Sequence, residues 1–104
     1  MTVVELLYFE GCRGRERLLP VVHQLSEERG VRLLERRIRT PDDAEAQRFL
    51  GSPTVRVDGV DVEPGAADRT DFGFKCRLYR TAESCCAQMP AEEWLGEAIE
   101  RAQT

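Results

Sequence analysis

The chain has 104 residues, of which 41% are hydrophobic and 33% are charged, with a formal net charge of -4 at pH 7. This length suits one domain and is too short for two independent cores, so we predict a single domain over residues 1–104. The negative charge argues against a mainly electrostatic nucleic-acid binder, so we expect no nucleic-acid partner. No apolar run approaches the roughly 20 residues of a membrane span, so we expect no membrane association.

The first third of the chain predicts a strand, a helix and a second strand. Residues 3–9 form an apolar run of strand length. From about residue 14 to residue 28 the apolar residues fall on one helical face, and Gly30 is a natural helix terminator. Residues 31–38 mix apolar residues with arginine and glutamate, which favours a strand with a solvated edge.

The middle of the chain predicts a second helix and a β-hairpin. Thr40 and Pro41 supply a capping hydroxyl and a proline at the first helical position, and we expect this helix to run to about Leu50. Asp58-Gly59 lies between alternating apolar residues and is a strong signal for a hairpin turn.

The last part of the chain predicts an irregular segment and a closing helix. Residues 63–89 show no sustained periodicity, and we expect Phe72, Phe74, Leu78 and Tyr79 to anchor them to the core. A final helix is expected over residues 90–102. The strand–helix–strand order at the start of the chain requires the first two strands to pair in parallel, and the hairpin adds antiparallel strands. The predicted fold is α/β, a mixed four-stranded sheet flanked by helices, with an irregular insert before the last helix.

The four cysteines are Cys12, Cys76, Cys85 and Cys86. No export signal is evident at the N-terminus, so we expect a cytoplasmic protein with reduced thiols. The adjacent Cys85 and Cys86 cannot readily bridge each other, because the ring they would close is strained. The spacing does not match a structural zinc site, and we predict no resident metal and no cofactor.

Cys12 is the candidate for chemistry, because it precedes the first helix with Arg13 and Arg15 beside it. A helix N-terminus and nearby arginines favour a thiolate, so our hypothesis is that Cys12 is largely ionised near neutral pH and nucleophilic. Arg15 would stabilise the thiolate. The alternative is a buried structural cysteine, but the polar neighbours predict a solvent-facing turn.

Several features, taken in order, resemble the thioredoxin superfamily. Residues 9–12 run from a strand into a cysteine at a helix start, and Pro20 follows Cys12 at the spacing of the family's helix-kinking proline. Residues 51–55, Gly-Ser-Pro-Thr-Val, resemble the family's cis-proline segment and lead into the hairpin. The resemblance implies a thioredoxin-like fold.

The resemblance also implies a site in which a cis Pro53 faces Cys12. Ser52, Pro53 and Thr54 would shape a groove where a partner's extended chain pairs as an added strand. Without the resemblance a trans bond would be the expectation. The family's Cys-x-x-Cys motif is Cys-x-x-Arg here, because Arg15 stands in place of the second cysteine. The closer comparison is therefore with single-cysteine members such as monothiol glutaredoxins.

The function implied by the resemblance is thiol–disulfide exchange with a protein disulfide or a low-molecular-weight thiol. A second thiol would release the mixed disulfide, and it is either external or one of Cys76, Cys85 and Cys86. Inert thiols and capture of a soft metal are the other roles open to these three cysteines. The alternative function is a non-catalytic thioredoxin-fold module that binds a partner protein or a soft metal such as mercury or arsenite.

Overall fold

The computed structural model describes residues 2–84 and 86–104. Its elements in chain order are β1 (Val3–Tyr8), α1 (Arg13–Arg29), β2 (Arg32–Arg37), α2 (Pro41–Ala46), β3 (Thr54–Val57), β4 (Val60–Asp61), one 3₁₀ turn (Ala66–Asp68) and α3 (Glu92–Gln103). This order confirms the predicted α/β arrangement. Within the described residues, no helix combines the length and the apolar character needed to cross a membrane.

The four strands form one mixed sheet in the order β2-β1-β3-β4. β1 pairs with β2 in parallel, whereas β3 runs antiparallel to both β1 and β4. The hairpin turn lies at Asp58 and Gly59, whose φ angles of 50° and 84° are the positive values that a tight turn of this kind needs. β2 is an edge strand with mostly exposed side chains, as its arginine-rich sequence predicts.

Helices cover both faces of the sheet, as predicted. α1 and α3 share one face, and α2 lies on the other. The core beneath α1 and α3 consists of Val4, Leu6, Leu18, Val22, Val55, Val57, Val62, Leu95, Ala98 and Ile99. The smaller core beneath α2 consists of Leu7, Ile38, Ala44 and Phe49.

The predicted end of α2 at about Leu50 is wrong, because the helix ends at Ala46. Arg48 adopts a left-handed φ of 54°, and the amide of Phe49 donates to the carbonyl of Ala44 at 2.8 Å. This is a Schellman-type helix end, stabilised by packing of Phe49 on Ala44. Glycine usually occupies the left-handed position of such an end, so an arginine there left no signal in the sequence.

The irregular insert packs on the core in a way that corrects part of the prediction. Tyr79 is fully buried, as expected, but Phe74 is 41% exposed and contacts the fold by stacking on Phe9, and Leu78 is 57% exposed. The segment alternates instead, so that the buried side chains are those of Arg77 and Tyr79. An extended backbone directs successive side chains to opposite sides, which places the intervening residues at the surface.

Candidate functional site

Cys12 is the N-cap residue of α1, and its Sγ accepts a hydrogen bond from the backbone amide of Arg15 at 3.4 Å. Only 5% of the residue is exposed, so the expectation of a solvent-facing turn is wrong. A capping side chain folds back toward the first turn of its helix, and that turn is packed against the cis-proline segment. The sulfur thus lies at the end of α1 where backbone amide hydrogens point outward.

The first turn of α1 packs directly on Pro53. An ideal Cβ added to Gly14 would lie 2.9 Å from Cδ of Pro53 and closer still to the backbone carbonyl of Gln88. A glycine is therefore needed for this close approach. The Ser52–Pro53 peptide bond is cis, and the hydroxyl of the buried Tyr79 donates to the carbonyl of Pro53.

The backbone of Ser52 is paired with the insert. Its amide donates to the carbonyl of Lys75 at 2.8 Å, and its carbonyl accepts from the amide of Arg77 at 2.9 Å. Ser52 and Cys76 are thus partners across an isolated parallel bridge. The chain's own residues 75–77 pair with the backbone beside Pro53, where the resemblance implies that an extended partner adds as a strand.

A cavity of about 260 Å³ lies between these segments. Among the residues that line it are Phe9, Cys12, Ser52, Cys76 and Leu78. The structure therefore brings two thiols, Cys12 and Cys76, to the wall of one cavity although they are far apart in the sequence. Neither is disulfide-bonded, and Cys76 is exposed whereas Cys12 is buried.

Of the other two cysteines, only Cys86 belongs to the described residues. Cys86 is exposed, and its amide donates to the hydroxyl of Ser84 at 3.1 Å. It is not among the described residues that line the cavity. Cys85, the other thiol considered as a partner for Cys12, lies outside the described residues.

The side chain of Arg15 is held by another partner. Its Nη2 donates to Oε1 of Glu35 at 2.6 Å, and the guanidinium lies 4.2 Å from the centre of the Tyr8 ring. The hydrogen bond to Glu35 raises the pKa of Arg15. Arg15 thus contacts Cys12 through its backbone amide, and its positive charge is balanced by Glu35.

Thr54 belongs to a buried polar network rather than to the cavity wall. Its hydroxyl donates to the carbonyl of Gly51 at 2.6 Å and accepts from Nη1 of Arg77 at 3.0 Å. Arg77 also donates to both carboxylate oxygens of Asp61 and to Glu63. Burial lowers the pKa of Arg77, but the ion pairs with these two carboxylates outweigh that effect, so the pKa is raised.

Sequence reasoning missed Arg77 and Asp61, which hold the insert on the sheet. A basic residue in an irregular segment is usually solvated, so nothing in the local sequence indicated that Arg77 is buried. The available signal was the alternation of residues 74–79, Phe-Lys-Cys-Arg-Leu-Tyr, which is typical of an extended segment with two different sides.

No metal site was predicted, and within residues 2–84 and 86–104 no group of three or more histidine, cysteine, aspartate or glutamate side chains is arranged to hold a metal ion. Comparison with known proteins finds no family model that matches the chain and no curated protein that matches it. The interpretation of the site therefore depends on its own geometry.

Proposed function

We propose that this protein is a thioredoxin-like thiol–disulfide exchange protein in which Cys12 is the nucleophile. The observation that carries the proposal is the position of Cys12 at the N-cap of α1, on the wall of a cavity that it shares with Cys76. The thioredoxin-like assignment is supported by the four-stranded mixed sheet, by the strand that leads into Cys12, and by the packing of Pro53 on the first turn of α1.

In the proposed reaction, the thiolate of Cys12 attacks one sulfur of a disulfide. A bond forms between Cys12 and that sulfur, the original disulfide bond breaks, and the other sulfur leaves as a thiolate. The amide of Arg15, which points at Sγ in the resting protein, stabilises the attacking thiolate. A second thiolate then breaks the mixed disulfide. An external thiolate that attacks the partner's sulfur releases Cys12 as a thiolate, whereas a thiolate of this chain that attacks Sγ of Cys12 forms an intramolecular disulfide and releases the partner's thiolate.

The geometry favours a low-molecular-weight disulfide over a protein disulfide as the partner. Residues 75–77 already use both the amide and the carbonyl of Ser52, so an extended protein partner would have to displace them. The cavity of about 260 Å³ lies just below the range of about 300–1,000 Å³ for complete small-molecule sites. It suits the cysteinyl end of a small thiol adduct.

The test is a glutathione-linked reduction assay with a small mixed disulfide as substrate. We expect the wild-type protein to turn over and Cys12→Ser to lose activity by at least about a hundredfold, because a hydroxyl does not carry out this exchange. Cys86→Ser is the matched control, since Cys86 is exposed and is not among the described residues that line the cavity, and it should retain wild-type activity. Equal activity in the Cys12→Ser variant would exclude Cys12 as the nucleophile.

A second candidate function is a binding module for a soft metal ion without turnover. The observation that favours it is the presence of Cys12 and Cys76 on one cavity wall, because thiolates are the preferred ligands of soft metals. Stoichiometric binding of Hg²⁺ or arsenite that needs both thiols, together with no activity in the reduction assay, would support this alternative against thiol–disulfide exchange.

A further inference from the structure

We propose that Cys76 is the resolving thiol of Cys12 and that the two form an intramolecular disulfide during the reaction. This inference rests on the proposed thiol–disulfide exchange at Cys12 and gives it a complete two-cysteine cycle within one chain. The second cysteine is supplied by the insert, which lines the same cavity, instead of by the first helix.

The side chain of Cys76 belongs to the cavity side of the insert. Residues 77 and 79 are buried, whereas the alternate residues Cys76 and Leu78 are exposed. Cys76 and Leu78 line the cavity together with Arg77. Phe74 continues this side and stacks on Phe9 with ring centres 5.1 Å apart. Phe9 also lines the cavity. The segment therefore places Cys76 beside the space that Cys12 borders.

The backbone at Cys76 is held in place on both sides. The amide and carbonyl of Ser52 pair with Arg77 and Lys75, the two neighbours of Cys76. The side chain of Arg77 has no exposed surface and pairs with Asp61 at 2.7 Å. These contacts fix the position of Cys76 opposite Ser52. A resolving cysteine needs such a fixed position, because its sulfur has to reach one particular sulfur.

Burial of Cys12 makes a resolving thiol inside the cavity chemically useful. Cys12 is 5% exposed, so a small disulfide has to enter the cavity to react with it, and the resulting adduct then occupies the space through which a second external thiol would approach. Cys76 already borders the same space, so its attack needs no diffusion of a second molecule into the site. Intramolecular attack gains the effective concentration that comes with a fixed partner.

The two steps balance in atoms and electrons. In the first, the Cys12 thiolate bonds to one sulfur of a low-molecular-weight disulfide and releases one thiolate. In the second, the Cys76 thiolate attacks Sγ of Cys12, the mixed disulfide breaks, and the second small thiolate leaves. The small disulfide gains two electrons, and Cys12 and Cys76 lose two. An external dithiol or a pair of monothiols then reduces the Cys12–Cys76 disulfide.

The experiment exposes reduced protein to oxidised glutathione, traps free thiols with N-ethylmaleimide and maps each cysteine by peptide mass spectrometry. We expect a Cys12–Cys76 disulfide in the wild type. In Cys76→Ser we expect the glutathione adduct at Cys12 to accumulate at least about tenfold above its wild-type level, because its resolution is blocked. The double variant Cys85→Ser/Cys86→Ser is the matched control and should behave as wild type. Circular dichroism checks that each variant is folded.

The outcomes separate this inference from the proposed function. A glutathione adduct at Cys12 that is equally abundant in the wild type and in Cys76→Ser would overturn the role of Cys76 and leave Cys12 as the nucleophile. A disulfide from Cys12 to Cys85 or Cys86 would do the same. If Cys12 forms neither an adduct nor a disulfide in any variant, both the inference and the proposed function are wrong.

Discussion

The guanidinium of Arg77 donates to both carboxylate oxygens of Asp61, at 2.7 and 3.0 Å, from a position with no exposed side-chain surface. This ion pair joins the insert to β4. Arg77 is the direct neighbour of Cys76 and lines the same cavity. The stability of this one pair therefore bears on the position of the proposed resolving thiol.

Removal of the Asp61 carboxylate should destabilise the protein strongly. We expect Asp61→Ala to lower the free energy of unfolding by about 3 kcal/mol, because a buried charge that loses its partner remains without full compensation. Urea unfolding followed by circular dichroism measures this change. Asp68→Ala is the matched control at an exposed carboxylate and should shift the value by less than about 0.5 kcal/mol. Similar losses in both variants would show that the Arg77 pair has no special role.

A side chain at Gly51 should disturb the attachment of the insert. The residue has a φ of 125°, and an added Cβ would lie 2.8 Å from Cβ of Arg77. We expect Gly51→Ala to cost about 1–3 kcal/mol of stability from the backbone conformation alone. It should also increase the rate of Cys76 alkylation.

Gly73→Ala is the control for this substitution within the same insert. The nearest atom to an added Cβ there is 3.7 Å away, in the flexible side chain of Lys75. Thermal unfolding and timed alkylation of Cys76 compare the two variants. No difference between them would contradict a close approach of Gly51 to Arg77.

The capping role of Cys12 predicts different stabilities for its two simplest substitutions. Cys12→Ser keeps an acceptor for the amide of Arg15, and serine is a preferred N-cap residue, so its stability should equal or exceed that of the wild type. Cys12→Ala loses the acceptor and should be less stable by about 1 kcal/mol. Denaturant unfolding of both variants tests this difference. Equal stabilities would argue against a capping role for the thiol.

Tyr79 predicts a loss of stability at high pH. Burial raises the pKa of its hydroxyl above the value of about 10 for a free tyrosine. Below pH ~10 both the folded and unfolded forms hold this proton, so its contribution to stability is complete. As the pH rises further, the unfolded chain loses the proton first, and the folded state weakens by up to about 1.4 kcal/mol per pH unit.

Tyr79→Phe isolates this contribution. The variant should be less stable than the wild type at neutral pH by about 1–2 kcal/mol, because the carbonyl of Pro53 loses its donor. The difference should shrink as the pH rises above ~10. Tyr8→Phe serves as the matched control, with Tyr79 left intact. A stability difference between Tyr79→Phe and wild type that stays constant from pH 8 to pH ~11 would rule out this proton linkage.

Much of the fold could be predicted because its signals are local. Apolar periodicity and the caps at Thr40 and Gly30 identified the strands and helices, and the Asp58-Gly59 turn identified the hairpin. The end of α2 escaped prediction because Arg48 adopts a left-handed conformation that its side chain does not signal. Packing of Phe49 on Ala44 stabilises that end, and such packing is not visible in a local pattern.

The candidate site divides in the same way. The sequence by itself determined that Cys12 would stand at the start of a helix and that Pro53 would precede a strand, since both depend on neighbouring residues. Only the tertiary structure decided that Cys12 is buried and that it shares a cavity with Cys76. The physical reason is that the insert is held by long-range pairing, between Ser52 and residues 75–77 and between Arg77 and Asp61. Such pairing depends on how the elements pack, and no short stretch of the chain encodes it.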